Sequence, residues 1–266
     1  MKRIFNIALF ILALSATSCV PVKKMIYLQS DKEAVPVEVF EYQKENYRLQ
    51  VNDILDVQIR SMNEEANNLF SMSAARQNSQ AMNAGVQGGG DLYYMTGYTV
   101  AEDGTIELPF IGKVKVIGLS LSEAKETIDN EVSKFFKTYF LQVKLGGIRF
   151  STIGEFRLTG KYVILQNQVT IYEAIAMSGD LTALANRDEI KLIRQYPNGT
   201  KVHSINLLDQ SIIGSPYYFI QPNDVLYAEP LPQKSYGFGV TGAQTLSTIV
   251  TSVSSTVALI LTLLAL

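Results

Sequence analysis

The chain has 266 residues, 47% of them hydrophobic and only 18% charged, which supplies ample core-forming material and excludes a disordered protein. Its 23 Lys+Arg against 25 Asp+Glu give a formal net charge of -2, and no Lys/Arg cluster follows Lys24, so the basic face that nucleic acid requires is missing. The single cysteine, Cys19, excludes disulfides within the chain, CxxC redox motifs and cysteine zinc clusters.

Met1-Lys2-Arg3 precede an apolar run from Ile4 to Leu14 and then Ser15-Ala16-Thr17-Ser18-Cys19. A basic start, a short apolar stretch and small residues before a cleavage point read as a secretory signal peptide over residues 1–18, too short for a comfortable transmembrane helix. Small residues directly before a cysteine resemble the bacterial lipobox, in which the thiol receives diacylglycerol, so Cys19 is the expected lipid attachment site. The alternative is an ordinary signal peptide followed by an incidental cysteine. Acyl chains would tie the N-terminus to a leaflet, each buried CH2 contributing about 0.8 kcal/mol. Val20-Pro21-Val22-Lys23-Lys24 then open a leash over residues 19–44.

Two α+β units are expected next, over residues 45–148 and 149–232. In the first, Tyr98–Val100 and Thr105–Leu108 flank the turn Glu102-Asp103-Gly104, and Val114–Val116 adds a short strand. Ser120 stands three residues before Glu123, a capping box opening a helix on Leu121, Ala124, Ile128, Val132 and Phe135. Leu141, Val143 and Leu145 alternate as a strand does. From residue 63 to 92 the periodicity fails, and a polar run with Gly88-Gly89-Gly90 reads as a mobile loop or, equally, as a segment that orders against a neighbouring subunit. In the second unit, Phe156–Leu158 and Tyr162–Leu165 read as strands around Thr159-Gly160. Thr170 and Glu173 repeat the capping box, and the helix stops at Gly179. Ile190–Arg194 and Lys201–Asn206 bracket Pro197-Asn198-Gly199, a hairpin signal. Gln50-Val51-Asn52-Asp53-Ile54-Leu55 and Gln221-Pro222-Asn223-Asp224-Val225-Leu226 echo each other, each an Asn-Asp turn launching a strand.

No catalytic constellation emerges. His203 is the single histidine and reads as a surface strand residue facing opposite to Val202; it has no partners for a metal cluster. Asp53/Asp56 and Glu64/Glu65 read as solvated carboxylates. Gly88-Gly89-Gly90 lacks the strand, helix and lysine of a phosphate loop, Gly146-Gly147 reads as a strand end, and Asn198-Gly199-Thr200 is explained by its turn. Tyr93-Tyr94 and Tyr217-Tyr218-Phe219 read as core or interface packing rather than sugar-stacking platforms. No metal or cofactor is expected.

The chain closes on Thr245–Leu266 without a charge. Twenty-two residues in a helix span roughly 33 Å, against a hydrocarbon layer of about 30 Å, so residues 240–266 are expected to form an amphipathic transmembrane helix. On a helical wheel Leu246, Ile249, Val250, Val253, Val257, Ile260, Leu261 and Leu264 share one face, expected toward lipid. Gln244, Thr248, Thr251, Ser255 and Thr262 share the other, expected toward an aqueous lumen closed by several copies. Leu259, Leu263 and Leu266 intrude on the flanks of that polar face. A simple tail anchor and a tail docked on the rest of the chain are the alternatives.

Tyr47-Arg48-Leu49-Gln50-Val51-Asn52-Asp53-Ile54-Leu55, Val100–Gly112 and Gly118-Leu119-Ser120 with Glu123-Ala124 together resemble the outer-membrane polysaccharide export lipoproteins, a family that includes ring-shaped capsule translocons. Gly154-Glu155, Tyr162, Glu173-Ala174-Ile175 and Ile193-Arg194 look like the soluble-ligand-binding β-grasp module that follows in that family. Lys23-Lys24-Met25-Ile26-Tyr27-Leu28 looks typical of members from the Bacteroides group. Asn52 departs from the family's usual Gly, and Thr159-Gly160 from its usual Pro-Gly; both remain turn-compatible. The resemblance implies a non-enzymatic outer-membrane conduit for capsular or exopolysaccharide, lipid-anchored, mostly periplasmic and built as a ring homo-oligomer. Its implied partners are the polysaccharide chain, outer-membrane lipid and an inner-membrane chain-length regulator or kinase. A periplasmic adaptor that binds glycan or envelope protein stays open beside it.

Overall fold

The computed structural model describes residues 22–30, 39–41, 47–61, 96–236 and 242–265. Cys19, the signal peptide, the 63–92 loop with Glu64/Glu65 and its glycine run, and Tyr93-Tyr94 lie outside the described residues. The fold is a mixture of α and β, with three sheets and three α-helices among the described residues.

The first unit is built on β1 (Ile54–Ser61), which pairs antiparallel with β2 (Tyr98–Thr99) on one side and, later in the chain, with β5 (Tyr139–Leu145) on the other. Between them come the hairpin β3 (Thr105–Leu108) and β4 (Gly112–Lys115) and the helix α1 (Leu121–Val132). The period-2 pattern turns Val57, Ile59, Leu141 and Val143 inward, where they meet Ile106, Leu108 and Val114 of the hairpin and Ala124, Ile128 and Val132 of α1. The capping box is formed in full: the Ser120 hydroxyl accepts from the Glu123 amide, and the Glu123 carboxylate accepts from the Ser120 amide. The helix stops at Val132, one turn short of the expectation, and Phe135 stands 55% exposed beyond it. At the β-turn, Gly104 has φ +78°, and a Cβ there would lie 2.3 Å from Ile117 Cγ2, so only glycine lets the chain turn back beneath Ile117.

The second unit is a five-stranded sheet in the order β7-β6-β10-β8-β9. Its strands are β6 (Ile148–Gly154), β7 (Gly160–Ile164), β8 (Ala185–Tyr196), β9 (Gly199–Ile205) and β10 (Asp224–Pro230). The central pair β6–β10 is parallel and every other pairing antiparallel. The helix α2 (Ile171–Met177) follows β7 and buries Ile171, Ala174 and Ile175 in the second core. It carries the expected Thr170–Glu173 capping box, and Gly179 follows it at φ +73°. The expected strand at 156–158 is not formed. Phe156 makes an isolated bridge to Leu181, and the strand lies earlier, at Ile148–Gly154.

The N-terminal residues 22–30 are docked rather than free. A 3-10 turn at Val22–Lys24 leads into a parallel bridge between Gln29 and Asp209, and the Tyr27 hydroxyl reaches the Asp180 carboxylate of the second unit at 2.6 Å. After β10 the chain leaves through a 3-10 turn at Pro232–Tyr236 and continues in the helix α3 (Gly242–Ala265).

Candidate functional site

Both Asn-Asp turns fold alike. Asn52 and Asn223 take left-handed backbones, at φ 71° and 66°, a conformation Asn tolerates better than most residues. In each, the following Asp accepts from the backbone amide of the Gln three residues earlier at 2.8 Å, closing the corner before the strand. Asp53 and Asp224 are both buried, 2% and 0% exposed, which corrects the expectation of a solvated Asp53. Asp56 is half-buried and accepts from the Gln58 side chain.

The two corners converge on the joint between the units. The Tyr47 hydroxyl donates to Asp53 Oδ2 at 2.6 Å, while Arg194 forms a two-point pair with Asp224 at 3.0 and 2.8 Å and also donates to the Phe219 carbonyl. Arg149 extends its guanidinium to the carbonyls of Gly146 and Gly147, and its own carbonyl accepts from the Asn223 amide at 2.7 Å. The Gln50 side chain crosses from the first unit to the Gln195 carbonyl of the second. Burial pushes the Asp53 carboxyl up to about 6, against the hydrogen bonds from Tyr47 and Gln50 and the nearby Arg149 charge that pull it down. Burial likewise raises the Tyr47 phenol, helped by the Asp53 charge. The cavity beside this joint, lined by Tyr47, Leu145 and Phe219 among others, measures about 70 Å3, room for a few waters and far below the size of a small-molecule site. The joint is therefore a structural coupling.

The tip of the β3–β4 hairpin, Glu107 to Gly112, frames an open depression of about 560 Å3. Phe110 stands there at φ 66° and 61% exposed. His203 is half-buried and stacks on Tyr217 at 4.3 Å between ring centres, with the Tyr196 hydroxyl 3.0 Å from its Nε2, whereas Val202 is the residue that faces out, 62% exposed. The histidine thus packs among aromatics of the second unit instead of sitting on a solvated surface. Tyr218 and Tyr217 pack against the second core.

The route toward α3 is clamped. Lys234 pairs with Glu155, which also accepts from the Thr182 hydroxyl at 2.7 Å, and the Leu231 amide donates to the Leu184 carbonyl. Burial pushes the Glu155 carboxyl up, but the bonds from Lys234 and Thr182 outweigh it and hold the group below its ordinary value.

The helix α3, 24 residues from Gly242 to Ala265, lies within the expected segment 240–266. Among the described residues, however, no helix is long and apolar enough to cross a membrane, and the transmembrane expectation is corrected accordingly. In the stretch 247–260, Ser247, Thr248, Thr251, Ser252, Ser254, Ser255 and Thr256 alternate with the apolar residues. These hydroxyls are also turned inward along the helix. Thr251 donates to the Ser247 carbonyl at 2.8 Å, Ser255 to Ser252 at 2.9 Å and Thr262 to Leu259 at 2.8 Å. The hydroxyl protons of Thr251, Ser252, Ser254, Ser255, Thr256 and Thr262 are thereby satisfied by the preceding turn, and only their oxygen lone pairs remain for a neighbour. The stripe by itself does not demand water. Of the predicted lipid-facing residues, Val250, Val253 and Val257 are exposed, so they are not covered by the rest of the chain, and Ile249 and Ile260 are intermediate. The side chains of Gln244, Leu246, Leu261, Leu263 and Leu264, and Leu266 altogether, lie outside the described residues.

Residues 41–146 match the family of polysaccharide biosynthesis/export proteins. The matched segment ends at Gly146, between the last residue of β5 and the first of β6, and it contains the Asn52-Asp53 corner, the β3–β4 tip and the α1 capping box. The polysaccharide-export match thus coincides with the first core. Sequence reasoning singled out the Asn-Asp corner within it but not Tyr47 as its buried partner; it missed Arg149, and it quoted Glu155 in the β-grasp resemblance without its clamp to Lys234 and Thr182. No periodic signal pointed to Arg149, since Ser151 and Thr152 also interrupt the apolar residues of that strand.

Proposed function

We propose that the chain serves in polysaccharide export as an outer-membrane lipoprotein of the Bacteroides type, anchored through Cys19, whose copies assemble into a ring that conducts capsular or exopolysaccharide without a catalytic step. The observation that carries the reading is the match of residues 41–146, the whole first core, to polysaccharide biosynthesis/export proteins. The strand order of the second unit, with two hairpins flanking a parallel central pair and a helix after the first hairpin, supports its reading as a β-grasp module. The bulk of the chain then lies in the periplasm, where an inner-membrane chain-length regulator or kinase meets it.

The role assigned to α3 is association between copies, not passage of a lone helix through lipid. The exposed face of Val250, Val253 and Val257 meets neighbouring apolar surface, and Thr248, Thr251, Ser255 and Thr262, with Gln244, turn toward the enclosed path. Their lone pairs accept from glycan hydroxyls, and the described stretch of the helix presents no charge that would trap the polymer.

The test is the mass of the detergent-extracted particle, with and without residues 240–266, measured alongside surface polysaccharide in cells. The expected result is a large multiple of the chain mass that shrinks on truncation, with loss of surface polymer. A particle that stays monomeric while retaining affinity for envelope glycan identifies an adaptor and overturns the conduit.

A further inference from the structure

The docked N-terminal segment has an inverted polarity. Its polar residues hold it to the protein: the Gln29 side chain closes the segment on itself through the carbonyls of Lys23 and Ile26, at 2.6 and 2.7 Å. Backbone bonds join Leu28 to Leu207, Gln29 to Leu208 and Gln210 back to Gln29. Tyr27 is clamped between the Tyr172 ring, 5.8 Å away edge-on, the Asp180 carboxylate and the Arg187 guanidinium. Apart from the two Gln29 side-chain bonds, these contacts all lie on the second unit.

What remains outside is apolar. Val22 is 71% exposed, Ile26 49%, Leu28 41% and Met25 40%, beside Lys23 and Lys24, the latter loosely paired with Asp188 at 3.7 Å. A cluster of exposed hydrophobics on a segment pinned in place marks a contact surface, and apolar side chains rimmed by lysines suit the boundary between acyl chains and headgroup phosphates. We propose that residues 22–28 form a lipid-contact knuckle that seats the second unit directly on the membrane leaflet, leaving the first unit to project away from it. The choice of lipid as occupant rests on the reading of Cys19 as the acylated residue: three peptide units separate Cys19 from Val22, a span of at most about 11 Å. An acyl group there brings Val22 to the interface whatever path those units take.

The test uses the full-length lipoprotein with Ile26→Cys or Val22→Cys, both at exposed positions, labelled with the environment-sensitive dye NBD. Phosphatidylethanolamine/phosphatidylglycerol vesicles carrying doxyl-labelled lipid are the probe, and Glu102→Cys in the first unit is the control. The expected result is quenching by doxyl lipid several-fold stronger at 22 and 26 than at 102. Quenching by aqueous iodide alone at all three positions overturns the knuckle, and so does shielding at 22 and 26 from both quenchers, which would bury the segment against another copy. The mass of the N-terminal peptide reads acylation separately: a bare Cys19 overturns the anchor, whereas an acylated Cys19 with unquenched labels overturns the knuckle alone.

Discussion

The two Asn-Asp corners share a backbone and differ in their partners. At each, a left-handed Asn is followed by an Asp that caps the Gln amide at 2.8 Å. Asp224 then meets a guanidinium at two points with both side chains out of water, while Asp53 meets the neutral Tyr47 hydroxyl and keeps one oxygen, Oδ1, without a partner among the described residues. Local sequence therefore fixes the corner, and the tertiary partner fixes its charge. The second unit holds a permanent ion pair. The first holds a carboxyl whose proton is bound more tightly than in the unfolded chain.

The largest effect expected from this difference follows Arg194→Ala, which strands the Asp224 charge in the core. Breaking one side of a buried pair costs about 3–5 kcal/mol, and chemical denaturation of the purified protein measures it. Arg194→Met combined with Asp224→Asn, which keeps an acceptor for the Gln221 amide, is expected to recover most of the loss. If the single and double variants are equally unstable, the pair is not what holds this corner.

The first unit should respond to pH instead. Asp53 has a folded value of about 6 against 3.8 when unfolded, so between those values the folded state holds the additional proton. The stability this group contributes is complete below about pH 4 and is lost as pH rises through about 6, at most about 3 kcal/mol. Asp53→Asn retains an acceptor for Tyr47 and for the Gln50 amide and is expected to flatten the stability profile across that window. Denaturation midpoints at pH 4, 5, 6 and 7 for both proteins check it, and parallel profiles would remove Asp53 from the account.

What the sequence made legible is what depends on neighbours three or four residues away. Both capping boxes, the turn at Gly104, the end of α2 at Gly179 and the hairpin that pairs Tyr196 with Gly199 all formed, because their donors and acceptors lie within one turn of chain. Contacts across more than a hundred residues were not legible. The clamp on Tyr27 uses Asp180, 153 positions away, so residues 22–30 read as a leash. The strand β6 was hidden because it is buried on both faces and carries Arg149 and Thr152 among its apolar residues, which erases the period of two. In α3 the wheel pattern was visible, but not that its hydroxyls are satisfied by their own backbone, and the inference from a hydroxyl stripe to enclosed water loses its force there.

The smallest expected effect separates the two units again, at their caps. Ser120→Ala and Thr170→Ala each remove an acceptor for a first-turn amide, a change that costs about 1 kcal/mol. The helices are not equally dependent on it. The Ile171 amide of α2 donates to the Tyr218 carbonyl at 2.8 Å, a long-range contact that pins the first turn from outside, so Thr170→Ala should cost less than Ser120→Ala. Hydrogen exchange at single amides distinguishes the causes. Glu123 in the Ser120→Ala protein and Glu173 in the Thr170→Ala protein should exchange faster, while Ile171 keeps its protection. If Ile171 loses protection together with Glu173, the cap and not the Tyr218 contact is what holds the start of α2, and the two helices are alike after all.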